Sequence, residues 1–182
     1  MALTKEEKEL IAKLQSGKLI QIMEVLKVMN TKGSVALIPY LFDILASEKF
    51  EPVENDILRI IGDIKEKDAA PVIVKSLQRN DYKNRTADVI AICWQSRLDY
   101  SPYLNIFAKF FFLNDYQTSI EAFTVIEESI HNADLGQRIA CLNILEKNAS
   151  KVSASLKPLY NELYKLVKSS LDLSIDNSKS IS

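Results

Sequence analysis

The stretch D-V-I-A-I-C-W-Q-S-R-L-D-Y-S-P-Y-L-N-I-F, Asp88 to Phe107, decides the fold. An apolar run at helical spacing ends in a short polar turn, and a second run opens at Pro102. The same design stands upstream at Asp56 to Leu77 and again at Glu24 to Leu45. The register is explicit, because Glu24, Asp56 and Asp88 each precede an apolar pair and lie 32 residues apart (24 + 32 = 56, 56 + 32 = 88). Pro39, Pro71 and Pro102 follow at intervals of 32 and 31. Each opens a helix-period run, where a missing backbone N–H costs nothing because the first turn has no partner for it. A fourth copy without its proline starts at Glu121, a degenerate fifth spans Leu135 to Lys147, and Leu156 to Leu171 forms a last amphipathic helix.

The ends follow other rules. Thr4 and Glu7 have the spacing of a reciprocal helix cap, and Leu10, Ile11 and Leu14 then recur on one face. Gly17 suits the left-handed end of that first helix, and Leu19 to Asn30 reads as the second. From Asp172 to Ser182 the chain is rich in Ser and Asn with little to bury, so a disordered tail at 172–182 after a single domain at 1–171 is expected.

Composition narrows the classes. The chain has 182 residues, 47% of them hydrophobic and 26% charged, with a formal net charge of -1. That balance supplies no general attraction to nucleic acid or to anionic lipid. No apolar run approaches the roughly 20 residues that span a bilayer. The N-terminus carries charge where a signal peptide has its apolar segment, so a cytoplasmic protein is expected. Cys93 and Cys141 both sit among apolar helical neighbours, which points to reduced core thiols and not to a disulfide.

A period near 32 residues holding two helices is the mark of a helical solenoid, since one pair cannot bury its own apolar face. The pattern resembles the HEAT-like repeat family over about residues 20 to 147, in particular short bacterial HEAT-like proteins. There a proline often opens the first helix, and a polar turn precedes a second helix with an arginine near its start. Asp81-Tyr-Lys-Asn-Arg85 before Val89 resembles that turn and arginine; Val53-Glu-Asn-Asp56 and Asp115-Tyr-Gln-Thr118 keep the turn and lack the arginine. The resemblance implies an all-α, right-handed α-solenoid of about five antiparallel helix pairs, an armadillo-like superhelix. Tetratricopeptide repeats have a nearby period, but their small-residue positions are missing.

In HEAT-like arrays the second helix of each pair lines the concave surface. The resemblance therefore implies a groove in which Glu24, Asp56, Asp88 and Glu121 form an acidic ladder. Arg59 lies three residues after Asp56, and Asp63, Gln95 and Glu128 lie seven residues after the ladder positions, on the same face. The blander alternative is a solvated face in which Glu24–Lys27 and Asp56–Arg59 are local ion pairs worth tenths of a kcal/mol. Asp81 to Asp134 holds eight acidic against four basic residues, and the balance reverses from Gln137 on, so a basic protein or peptide partner fits the middle. Trp94 occupies a position that is Asn30, Gly62 and Glu127 in the other copies, which makes it either a binding anchor or a filler over Tyr100 or Tyr103. Phe107, Phe110 and Phe111 have core spacing, whereas Phe112 falls off that phase.

His131 is the only histidine, the cysteines are far apart, and the four glycines are scattered. Neither a His-based triad, a zinc site nor a phosphate loop can be assembled from them. The expectation is a non-enzymatic interaction or scaffold module, with no catalytic residue, cofactor, metal, nucleic acid or membrane, as a monomer or weak homo-oligomer. The alternatives are a HEAT-like nucleic-acid-processing enzyme of the DNA glycosylase type and a self-assembling protein capped through Leu171 or the aromatics around Phe112.

Overall fold

A computed structural model describes residues 3–47, 49–79, 82–113 and 115–179, with the backbone alone at Lys83 and over 173–179. The described residues are all-α, with ten α-helices and no strand. The chain falls into two compact units, Met1–Leu98 and Asp99–Ser182.

The first unit holds α1 (Lys5–Gln15), α2 (Leu19–Met29), α3 (Ile38–Ser47), α4 (Glu51–Asp63), α5 (Ala69–Arg79) and α6 (Thr86–Ser96). Contacts run α1–α3–α5 along one row and α2–α4–α6 along the other, and α1–α2, α3–α4 and α5–α6 join the rows. The core lies between the rows and is built from Ile22, Val25, Leu41, Phe42, Ile57, Ile61, Ile73 and Ile90, all fully buried. Each such side chain contributes about 1.5–3 kcal/mol by leaving water, so the 32-residue apolar period is what fixes these contacts. Arg79 strengthens the first row from outside, with Nη2 paired to the Asp43 carboxylate and 3.3 Å from the Pro39 carbonyl.

The second unit holds α7 (Leu104–Phe110), α8 (Tyr116–Ser129), α9 (Leu135–Asn148) and α10 (Lys157–Lys179). α7 packs on α8 and α9, and α10 packs on α9 and α8. Phe107 and Phe111 are fully buried as their spacing suggests, and Tyr100 meets Phe107 edge-on at 5.8 Å. Phe110 departs from the core expectation and is half-buried: at the last position of α7 it lies beside Phe107 at 6.3 Å, while Phe107 and Phe111 take the inward side. Phe112, off the helical phase, is half-buried against Phe111 and Tyr160. Helix α10 continues past Leu171 to Lys179, and residues 180–182 of the expected tail lie outside the described residues. Asp81 of the polar turn lies outside them as well.

Both cysteines are free and buried, Cys93 in the first unit and Cys141 in the second. Burial pushes the Cys141 thiol up to about 12.

The first helix ends as its sequence suggests. Thr4 N donates to Glu7 Oε2 at 2.8 Å, Glu7 N donates to Thr4 Oγ1 at 3.1 Å, and Gly17 follows at φ +68°. Helix α6 ends in the same left-handed conformation on a non-glycine residue, Arg97 at φ +58°. An L side chain costs about 1–2 kcal/mol there. Two opposite outcomes are therefore expected in thermal unfolding. Gly17→Ala lowers stability by about 1 kcal/mol although nothing lies within 4 Å of the new Cβ. Arg97→Gly raises it by about 0.5 kcal/mol, and a loss on that substitution would contradict the backbone argument.

Candidate interaction surface

The ladder positions all lie within helices: Glu24 on α2, Asp56 on α4, Asp88 on α6 and Glu121 on α8. The first three share the α2–α4–α6 row, while Glu121 and Glu128 belong to the second unit. On α8, Glu121 accepts from Gln117 Nε2 at 2.6 Å, and Glu128 is exposed.

The acidic side chains of the first unit have cationic neighbours. Lys13 Nζ on α1 donates to Glu24 Oε2 at 2.8 Å, so Glu24 takes Lys13 as its partner and not the Lys27 of the sequence expectation. Arg59 stands between Asp56 at 3.4 Å and Asp63 at 3.7 Å. All of these side chains are well exposed, so each pair contributes little to stability. They do pattern the face, which alternates carboxylates with cations.

Arg85 is different. One arm pairs with Glu54, Nη2 donates to Asn55 Oδ1 at 2.9 Å, and Nε lies 3.3 Å from Asp88 Oδ2. Glu54 and Asn55 are on α4 and Asp88 is on α6, so this guanidinium fastens two consecutive helices of the row. Glu54 is only 4% exposed. The turn-and-arginine motif pointed to Arg85, but its buried partner was missed. The signal available was a charged residue in the polar turn of the preceding copy, about one repeat upstream.

At the other end of the row, Lys65 Nζ donates to the Gly62 carbonyl at 3.2 Å and to the Ser96 carbonyl at 3.0 Å. These carbonyls stand at the C-terminal ends of α4 and α6, where the helix dipoles favour a cation. A cleft of about 500 Å³ opens one repeat earlier, where α2 and α4 end, and Arg59 and Asp63 are among its lining residues.

Apolar side chains complete the face. Ile20 and Met23 on α2 are 66% and 41% exposed, and Trp94 on α6 is 38% exposed, with Gln95 exposed beside it. On α2 the buried residues Ile22, Val25, Leu26 and Met29 occupy the opposite side of the helix, so Ile20 and Met23 have no role in the core. Among the described residues no group of three His, Cys, Asp or Glu side chains is placed to hold a metal ion, and no helix is long and apolar enough to cross a membrane. No protein-family model and no curated protein matches the chain.

Two measurements probe this face. Removing the Arg85 charge leaves the Glu54 carboxylate buried without its cation, so Arg85→Met should cost about 3 kcal/mol in denaturant unfolding. Adding Glu54→Gln should restore a large part of it; no restoration would mean that Arg85 acts through packing alone. The hydrogen bond from Lys13 holds the Glu24 carboxyl below its ordinary range. A depressed folded pKa gives stability that is present above the unfolded value and lost as pH falls through the folded one. The stability gap between wild type and Lys13→Met should therefore be full at pH 7 and close below about pH 4. A gap independent of pH would remove the ion pair from the account.

Proposed function

We propose that the protein is a HEAT-like α-solenoid that serves as a non-enzymatic interaction or scaffold module, binding a protein or peptide segment across the exposed face of its second helices. The two-row order of contacts in the first unit supports a stacked array of helix pairs. The observation that carries the binding reading is the exposure of Ile20, Met23 and Trp94 on the α2–α4–α6 row, around a charged centre made of Asp56, Arg59 and Asp63. Apolar and aromatic anchors around a polar, ion-paired centre are the ordinary anatomy of a protein-binding surface. Glu24, Asp56, Asp63 and Asp88 are the groups that a basic partner would engage, in exchange for the cations Lys13, Arg59 and Arg85 that stand beside them.

The test is a tagged capture experiment that compares wild type with Trp94→Ala/Met23→Ser, with Asp56→Lys/Asp63→Lys, and with a control on exposed α9 residues, Leu135→Ser/Ile139→Ser. The reading expects a partner retained by wild type and control and reduced at least about tenfold by either face variant, with unchanged circular dichroism. Equal retention by all four proteins would refute it.

A further inference from the structure

The cleft at the ends of α2 and α4 gains a specific chemistry from the repeat register. Lys65 lays its ammonium on the carbonyls of Gly62 and Ser96, where α4 and α6 end. Moving every member back by one period of 32 gives Gly33 for Lys65 (33 + 32 = 65), Asn30 for Gly62 (30 + 32 = 62) and Ile64 for Ser96 (64 + 32 = 96). All three of these residues line the cleft. The residue that would supply the cation is thus a glycine with no side chain. Among the described residues the Asn30 carbonyl, at the end of α2, accepts no hydrogen bond. Ile64 differs from Ser96 in standing just outside its helix with an extended backbone (ψ 129°), so of the two only Asn30 offers a helix-end carbonyl.

The surroundings favour a cation. The last residues of α2 and α4 border the cleft, so both negative dipole ends meet there. The Glu66 carboxylate hangs over Gly33, with Oε1 3.3 Å from where a Cβ would stand. Of the two cations in the lining, Arg59 is shared by Asp56 and Asp63, and Lys65 is held by its own pair of carbonyls.

We propose that this cleft receives the ammonium group of a lysine side chain from the bound protein segment, in the place that Lys65 fills one repeat later. The assignment rests on the binding reading above and sharpens it, because it names the group the face selects and where that group lands. An ammonium with three donors can meet the Asn30 carbonyl at the end of α2 and the Glu66 carboxylate together. Acetylation of that lysine removes the charge and abolishes the fit.

The probe is a short peptide, acetyl-Ala-Ala-Lys-Ala-Ala-amide, titrated into the full-length 15N-labelled protein and followed through amide shifts. Shifts are expected at Asn30, Gly33, Ile64 and Lys65, weakened at least about tenfold when the lysine is acetylated. Gly33→Lys should abolish them by filling the site from within. Gly33→Lys should also melt higher than Gly33→Met, which has a similar stem and no charge. Absence of cleft shifts, undiminished shifts in Gly33→Lys, or equal melting of the Lys and Met variants would each overturn the assignment. The two readings separate cleanly. If capture of the partner depends on Trp94 and Met23 but Gly33→Lys captures as wild type does, only the cleft assignment fails. If capture ignores the face variants, the binding reading fails, whatever the peptide shows.

Discussion

The Arg85 guanidinium is the interaction on which the α2–α4–α6 row depends most. Apolar contacts give adjacent helices affinity, but dispersion and burial are not directional and tolerate sliding. A planar cation whose two arms are fixed on Glu54 and Asn55, with Asp88 3.3 Å from its Nε as a charge neighbour, tolerates much less, since those donors have a fixed fork geometry. It therefore sets the register of α6 on α4, and with it the place of Trp94, Gln95 and the Ser96 carbonyl relative to Arg59, Asp63 and Lys65. The exposed face is positioned by a contact that lies largely beneath it.

At the far end of the same two helices, Lys65 does the complementary work. It joins the ends of the two helices through their Gly62 and Ser96 carbonyls. One cation near the start of α6 and another at its end fix both its position and its tilt against α4. No equivalent of Lys65 ties α4 to α2, because glycine stands at that register, and an open cleft is what remains.

The helices were legible in the sequence because burial repeats with the helical period. Thr4, Glu7 and Gly17 were equally legible, since their chemistry is local and complete within a few residues. The ion pairs were not. Glu24 lies three residues from Lys27, yet it pairs with Lys13 on the neighbouring helix, and only the packing of α1 on α2 decides between them. Glu54 read as part of a polar turn, and its burial follows from the approach of α6, which no local pattern encodes. Arg97 ends α6 in a conformation that sequence rules reserve for glycine or asparagine. Of the candidate surface, the helix face was readable from spacing, while the apolar anchors on α2 and the cleft were not, since exposure and concavity arise only once the row is assembled.

The two cysteines have a consequence of their own. Each compact unit encloses one thiol, Cys93 in the first and Cys141 in the second, and the chain has no other. Held near 12, the Cys141 group has almost no thiolate at neutral pH, so an alkylating reagent reaches it only when the second unit opens. The native protein thus carries one chemical clock per unit. The order in which the two are modified reads out which half of the chain loosens first, and doubly modified molecules without singly modified ones would mean that both halves open as one.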